Sequence, residues 1–213
     1  MDGIIFDLDG TLWESRINVT ESWCEILRRD YPQLREPTPE EFGRQMGKLL
    51  ADVGRSLFPG LSDEENEEVI GKCCDYENRY LAENGGILFD GLEETLEKLS
   101  EKYRLFIVSN CQGGYIEAFY ESSGLGKYFT GKLCCGDTGK VKADNIKLII
   151  ERFGLRSPVY VGDTALDESS AREAGIPFIW AAYGFGRAEK YDAKLGSITE
   201  LPEKCGNIEK QQT

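Results

Sequence analysis

Residues 3–12 read GIIFDLDGTL, and this stretch decides the fold class of the chain. Residues 3–8 form a short apolar run that contains Asp7 and is followed by Asp9 and Gly10. Short apolar runs that end in acidic residues and glycine are typical of strands buried on both faces of a parallel sheet. We therefore predict that a buried parallel strand lies at the start of the chain.

Similar apolar runs recur further along the sequence. They are LFIVS at 105–109, VYVG at 159–162, PFIWA at 177–181 and a weaker run near 132–135. Between them, apolar residues recur three and four positions apart, as in amphipathic helices. These helical patterns cover residues 92–99, 145–153 and 167–175. Alternation of strands and helices predicts an α/β fold with a doubly wound, Rossmann-like parallel sheet.

Residues 14–89 break this alternation because they contain no buried-strand pattern. They carry three amphipathic stretches, at 19–31, 40–57 and 63–83, which are separated by prolines and glycines. We therefore predict two domains: an α/β core of residues 1–13 and 90–213, and an inserted all-helical unit of residues 14–89. The last residues, 203–213, are polar, and we expect them to fray.

Composition excludes several classes of function. The net charge of −13 disfavours binding to nucleic acid. No apolar stretch is long enough to cross a membrane, and the N-terminus does not resemble a signal peptide, so we expect a cytoplasmic protein. The chain has no histidine, which leaves acid–base chemistry to carboxylates, lysine, tyrosine or cysteine.

Ligands bind at the carboxyl ends of the strands in a doubly wound sheet, so the polar residues that follow the apolar runs are the candidate site. They are Asp7, Asp9 and Thr11 after the first run, Ser109 and Asn110 after the second, Lys140 and Lys142 after the weak run, and Asp163 and Asp167 after VYVG. Two acidic pairs, a hydroxyl and an ammonium group are the parts that phosphoryl transfer needs.

Each residue type has a separate task in that chemistry. Asp7 and Asp9, two positions apart on an extended segment, point to the same side, so one can attack while the other handles protons. A second acidic pair beside them indicates a hard cation such as Mg²⁺. Ser109 can donate to a phosphoryl oxygen, and a lysine can neutralise its charge.

Four motifs, in order, resemble the signatures of the haloacid dehalogenase-like hydrolase superfamily. They are DLDGT at 7–11, the strand LFIVSN ending at Ser109 and Asn110, a lysine at 140 or 142, and GDTALD at 162–167. The resemblance covers residues 1–13 and about 90–182. The insertion resembles the helical cap of phosphoglycolate-phosphatase-like and sugar-phosphate phosphatase members. The resemblance as a whole implies a phosphoric monoester hydrolase that uses Mg²⁺ and acts on a small phosphorylated metabolite.

The resemblance also implies roles for individual residues. Asp7 is the expected nucleophile that forms an aspartyl-phosphate, and Asp9 is the expected general acid and base. Thr11 is expected to orient Asp9 and, with Ser109 and Asn110, to belong to the substrate-binding residues, and Ser109 and the lysine are expected to hold the phosphoryl group. The expected metal ligands are Asp7, the backbone carbonyl of Asp9, and Asp163, with Asp167 as a further ligand or as an outer hydrogen-bond acceptor.

Two lysine assignments stay open. The family lysine is normally followed by proline, but this sequence reads GKVKADN at 139–145. We favour Lys142 because it immediately precedes a predicted helix start, whereas Lys140 better preserves the usual spacing to the following glycine. On the insertion, Lys48 is a candidate substrate contact, although a solvent-exposed position is the simpler interpretation of its basic residues.

Three other functions fit part of the pattern. A β-phosphoglucomutase-like phosphomutase would use the same signatures and return the phosphoryl group to a sugar. A haloalkanoate dehalogenase lacks the second acid, so Asp9 favours phosphate chemistry. A receiver-like phosphoacceptor domain would not be an enzyme, and it lacks a helical insertion after its first strand.

Overall fold

The computed structural model describes residues 1–212, with side chains described for residues 1–208. The strands are β1 (Gly3–Phe6), β2 (Trp13–Glu14), β3 (Ile87–Leu88), β4 (Arg104–Ser109), β5 (Phe129–Cys134), β6 (Pro158–Gly162), β7 (Phe178–Ala181) and β8 (Ala193–Leu195). The helices are α1 (Arg16–Asp30), α2 (Pro39–Gly43), α3 (Leu50–Leu57), α4 (Asp63–Asn84), α5 (Leu92–Ser100), α6 (Tyr115–Ser123), α7 (Cys135–Thr138), α8 (Lys142–Phe153), α9 (Ala165–Ala174) and α10 (Leu201–Gln212). Within residues 1–212, no helix combines the length and apolarity needed to span a bilayer.

Six strands form one parallel sheet in the order β5-β4-β1-β6-β7-β8. Strand β1 lies inside this sheet and pairs with β4 on one side and β6 on the other. Successive side chains of β1 serve opposite faces, because Ile4 and Phe6 belong to one buried cluster and Ile5 to another. The predicted doubly wound α/β core is confirmed, and its crevice opens where β1 ends between β4 and β6.

The helices α1–α4 form the predicted helical insertion, between β2 and β3. These two short strands pair antiparallel, with Trp13 opposite Leu88 and Glu14 opposite Ile87. Both connections between the inserted helices and the sheet therefore pass through one small ladder. The amphipathic stretch at 40–57 is not one helix, because Gly47 adopts φ +80° between α2 and α3 and the chain turns there.

The expectation that the C-terminal residues fray is wrong for the part of the tail that the structure describes. Residues Leu201–Gln212 form α10. Leu201, Cys205 and Ile208, spaced four and three apart, are buried against the core, and this spacing places them on one helix face. Thr213 lies outside the described residues.

Candidate active site

The loops after β1, β4 and β6 and the start of α8 bring distant polar side chains together. Asp7, Ser109, Lys142, Asp163 and Asp167 are all buried at this edge of the sheet. Carboxylate oxygens of Asp7, Asp163 and Asp167 lie within 4.8 Å of one another. Three aspartates from two separate motifs therefore share one small, solvent-excluded space.

Two glycines allow this close approach. Gly10 adopts φ +76°, and a β-carbon there would lie 2.5 Å from Oδ2 of Asp163. At Gly162, a β-carbon would lie 2.5 Å from Cγ of Asp167. Any side chain at either position would push the aspartates apart, so both glycines are required by the geometry of the cluster.

Lys142 is the lysine that enters the cluster. Its ammonium Nζ lies 2.9 Å from Oδ1 of Asp7 and 2.5 Å from Oδ1 of Asp167. Burial lowers the pKa of Lys142, but the charges of Asp167 and Asp7 outweigh burial and raise the pKa above its ordinary value. The ammonium group is therefore charged at neutral pH. Lys140, the alternative, is exposed to solvent.

The carboxyl groups of Asp7 and Asp163 have raised pKa values. Burial, together with the negative charge of Asp167, raises the pKa of Asp7 well above its usual range, although Lys142 opposes this. The same two causes raise the pKa of Asp163 to about 7. One lysine does not neutralise three buried carboxylates, which is the condition in which a divalent cation fits.

The hydrogen bonds of Asp163 support the fit of a divalent cation. Its Oδ2 accepts hydrogen bonds from the backbone N–H groups of Phe185 at 2.7 Å and Gly186 at 3.0 Å. Its Oδ1 is buried and has no hydrogen-bond partner among the described residues. A buried carboxylate oxygen without a partner is costly, and a hard cation would satisfy it. The donor set thus fits Mg²⁺.

Both oxygens of Asp167 are already engaged. Oδ2 accepts from the backbone N–H of Thr164 at 2.9 Å and from its hydroxyl at 2.6 Å, which completes a capping box at the start of α9. Oδ1 contacts Lys142. Of the two predicted roles of Asp167, the geometry favours the outer one, in which it holds the lysine.

Asp9 is held by three donors that converge on its Oδ1. They are Nε1 of Trp13 at 2.9 Å, the hydroxyl of Ser15 at 2.5 Å and the hydroxyl of Tyr115 at 2.7 Å. Burial raises the pKa of Asp9 above its usual value, and these three hydrogen bonds oppose that rise. Asp9 is therefore firmly oriented and remains a weaker acid than an exposed aspartic acid.

The prediction that Thr11 orients Asp9 is wrong in this structure. Thr11 is fully buried, and its hydroxyl makes no hydrogen bond with any described residue. Its backbone is engaged instead, because the carbonyl accepts from the hydroxyl of Tyr183 at 2.8 Å and the N–H donates to the carbonyl of Leu8 at 3.2 Å. The turn at Gly10 places the Thr11 side chain in the protein interior, and Trp13, Ser15 and Tyr115 orient Asp9 instead.

A cavity of about 60 Å³ lies between the inserted helices and the core. Its lining includes Asp9, Ser109, Asn110 and Lys48. The insertion reaches the core here, because the Asn110 amide donates to the backbone carbonyl of Gly47 at 2.9 Å. Lys48 is exposed to solvent, donates to Gln45 at 3.0 Å and lines the same cavity as the core residues.

Arg44 and Arg55, the other basic residues near Lys48, face solvent. Arg44 pairs with Glu40 at 2.5 Å and Arg55 with Asp63 at 3.0 Å, and all four side chains are exposed. The solvent-exposed interpretation is therefore correct for these two arginines.

The sequence reasoning did not identify the residues that hold Asp9. Trp13 and Ser15 lie within six positions of Asp9. Their N–H and O–H groups, so close in sequence, indicated possible hydrogen-bond donors to its carboxylate. Tyr115 is 106 positions away and only the fold brings it close. The sequence signal for Tyr115 was its position shortly after the second apolar run, at 105–109.

Glu77 of α4 is a second residue that sequence reasoning missed. It is buried, lines the same cavity as Asp9 and accepts a hydrogen bond from Trp23. Burial raises its pKa to about 8. The signal was present, since Glu77 lies four positions from Cys73 and from Leu81 on the apolar face of the helix.

Known proteins resemble this chain in sequence. The sequence profile described as "Haloacid dehalogenase-like hydrolase" matches residues 4–181. Phosphoglycolate phosphatase of Escherichia coli (strain K12) is 29% identical, over 89% of this chain and 84% of that protein. Phosphoglycolate phosphatase of Rhodobacter capsulatus is 27% identical, over 93% of this chain and 94% of that protein.

Solved structures show the same architecture. A haloacid dehalogenase-like family hydrolase from Streptococcus pneumoniae superposes with a TM-score of 0.78 at 23% identity, covering 96% of this chain and 98% of its own. At that identity the match shows the fold alone. The sequence profile covers most of the chain, including all four motifs, which argues against a receiver-like domain. The protein is an enzyme that belongs to the haloacid dehalogenase-like hydrolase family.

Proposed function

We propose that this enzyme is a magnesium-dependent phosphatase that hydrolyses a small phosphorylated metabolite through an aspartyl-phosphate on Asp7. The observation that carries the proposal is the convergence of Asp7, Lys142 and Asp163 in one buried cluster. The similarity of the chain to two phosphoglycolate phosphatases, 29% and 27% identical, supports a phosphate ester as the substrate.

Asp7 attacks phosphorus in the first half of the reaction. A bond forms between a carboxylate oxygen of Asp7 and phosphorus, and the bond to the ester oxygen breaks. Asp9 gives its proton to that departing oxygen. In the second half, water attacks phosphorus, Asp9 accepts a proton from this water, and Asp7 leaves as a free carboxylate.

Lys142 keeps Asp7 in place and neutralises charge near the transferring group. Its ammonium lies 2.9 Å from Asp7, and Asp167 fixes it from the other side at 2.5 Å. Preorganised positive charge of this kind stabilises a phosphoryl group during transfer. Asp167 therefore contributes by orienting the lysine.

Asp7, the backbone carbonyl of Asp9 and Asp163 would hold the magnesium ion. Bound Mg²⁺ supplies positive charge that offsets the repulsion between the phosphoryl oxygens and the carboxylates. Asp163 is the residue best suited to this task, because its buried Oδ1 has no other partner among the described residues.

Ser109 and Asn110 bind the phosphoryl group from the end of β4, next to Asp7. Lys48 reaches the leaving group from the insertion, because it lines the same cavity as Asp9. A cavity of about 60 Å³ between insertion and core suits a small leaving group. The side chain of Thr11 does not line this cavity, so no contact with the leaving group is assigned to it.

Residues 14–89 act as a cap over a core of residues 1–13 and 90–213. The two-residue ladder between β2 and β3 is the hinge, since both chain connections pass through it. Closure over the substrate excludes bulk water from the reacting groups, and opening releases the products.

The test is release of inorganic phosphate from a panel of phosphorylated metabolites, with Mg²⁺ and with EDTA. The panel contains phosphoglycolate, sugar phosphates, nucleotides and pyrophosphate. Phosphate release from a small ester only in the presence of Mg²⁺ is the expected result. Transfer to a sugar without release would identify a phosphomutase instead, and activity that resists EDTA would contradict the role of the metal.

Metal binding is expected to make stability depend on pH. The pKa of Asp163 rises from 3.8 to about 7 in the folded protein, so the metal-free protein loses stability as pH rises through this interval. Mg²⁺ binds the ionised carboxylates, so it should raise the melting temperature more at about pH 8 than at about pH 5. Thermal unfolding with Mg²⁺ and with EDTA measures this difference.

Asp163→Asn is the matched control for this experiment. It removes the charge and keeps the volume, so the Mg²⁺-dependent rise in melting temperature should disappear. An equal effect of Mg²⁺ at both pH values, or an unchanged effect in the variant, would show that the ion binds elsewhere.

A further inference from the structure

The three hydrogen bonds to Asp9 all end on the same carboxylate oxygen. Trp13, Ser15 and Tyr115 donate to Oδ1 at 2.9, 2.5 and 2.7 Å. The indole N–H of Trp13 can only donate, so a proton on Oδ1 would face another proton. This arrangement favours Oδ2 as the oxygen that carries the acidic proton of Asp9.

Tyr115 belongs to a different part of the fold from the other two donors. Trp13 and Ser15 belong to the segment that leads from Asp9 into the inserted helices, at β2 and immediately before α1. Tyr115 is the first residue of α6, in the core after β4. It is buried, and its ring contacts the edge of Trp13 with 5.8 Å between the ring centroids. Tyr115 therefore ties Asp9 to the core.

We propose that Tyr115 is a positioning residue that keeps the acidic proton of Asp9 on Oδ2, facing the leaving group. This inference rests on the proposed function, in which Asp9 is the general acid. The phenol of Tyr115 donates its one proton to Oδ1, beside the indole N–H of Trp13, which can only donate, so Oδ1 acts as the acceptor. In the first step the Oδ2–H bond breaks, its electron pair stays on Oδ2, and the proton moves to the ester oxygen. In the second step Oδ2 takes a proton from the attacking water.

The dependence of the rate on the leaving group separates this role from a structural one. Loss of general-acid catalysis slows substrates whose leaving oxygen is strongly basic, because that oxygen needs the proton. It hardly affects 4-nitrophenyl phosphate, whose leaving group departs as a stable anion. A variant whose site is merely distorted slows both substrates equally.

The experiment measures kcat/KM of Tyr115→Phe for phosphoglycolate, an alkyl phosphate, and for 4-nitrophenyl phosphate, because kcat/KM reports the half-reaction in which the leaving group departs and not the later hydrolysis of the aspartyl-phosphate. The kcat/KM for the alkyl substrate should fall on the order of 10-fold, as expected for loss of one hydrogen bond to the carboxylate that forms when Asp9 gives up its proton. The kcat/KM for 4-nitrophenyl phosphate should fall less than about 2-fold.

Tyr120→Phe is the matched control. Tyr120 lies on the same helix, and its buried hydroxyl has no hydrogen-bond partner among the described residues, so its removal should leave both rates unchanged. Asp9→Asn is the reference for complete loss of the acid. Thermal unfolding of each variant verifies that the fold is retained.

The outcomes distinguish the inference from the proposed function. Equal losses on both substrates in Tyr115→Phe, or no loss at all, would overturn the role of Tyr115 if Asp9→Asn still shows the leaving-group dependence. Absence of that dependence in Asp9→Asn would overturn the assignment of Asp9 as the general acid, and the role of Tyr115 with it.

Discussion

Asp7→Asn is expected to lower the turnover of any phosphate ester by about 10⁴-fold or more. The amide has the volume of the carboxylate, but it is a very poor nucleophile. The fold should be retained, because Lys142 keeps its second partner, Asp167, at 2.5 Å. The substitution also removes a buried carboxylate whose pKa is raised by burial and by the charge of Asp167. The melting temperature should therefore be at least that of the parent protein.

The measurement is phosphate release from 4-nitrophenyl phosphate, together with thermal unfolding. Asp75→Asn is the control, since Asp75 is an exposed aspartate on α4 far along the chain from the cluster. It should behave as the parent protein. Turnover retained in pure Asp7→Asn protein would contradict the assignment of Asp7 as the nucleophile.

Lys142→Met is expected to damage both stability and activity. Lys142 is fully buried between Asp7 and Asp167, and methionine leaves these carboxylates without a counter-charge. Removal of one partner from a buried ion pair typically destabilises a protein by about 3–5 kcal/mol. Activity should fall by about 10²-fold or more, because the transferring group loses its fixed positive charge.

Lys140→Met is the matched comparison for this prediction. Lys140 is two positions away and exposed, so the same change in chemistry should alter neither stability nor activity. Chemical denaturation and phosphate release measure the two effects. The reverse pattern, with Lys140→Met inactive and Lys142→Met active, would assign the catalytic lysine to position 140.

The core strands could be predicted from sequence because their burial leaves a direct signal. Strands β1, β4, β6 and β7 are continuous apolar runs, as both faces of the sheet are covered by helices. Strand β8 has only three residues, Ala193–Leu195, and is too short to produce such a run. Local patterns also do not reveal that the chain turns at Gly47, which depends on a backbone conformation.

The acidic cluster could also be predicted, since its residues follow the strands at fixed places in the chain. The hydrogen bonds around Asp9 could not. Thr11 was the nearest hydroxyl in sequence, but its side chain is buried without a hydrogen bond among the described residues. Tyr115 is 106 positions from Asp9 and reaches it only because the fold brings the start of α6 close to the residues that follow β1. Sequence motifs thus identify reacting groups better than the residues that orient them.

The position of Trp13 and Ser15 has a mechanical consequence. Both donate to Asp9, and both lie on the one segment that enters the inserted helices from the core. A rotation of those helices that moved this segment would carry away two of the three donors. The orientation of Asp9 therefore depends on the position of the inserted helices. Opening of the insertion would weaken the hold on Asp9, and closure would restore it.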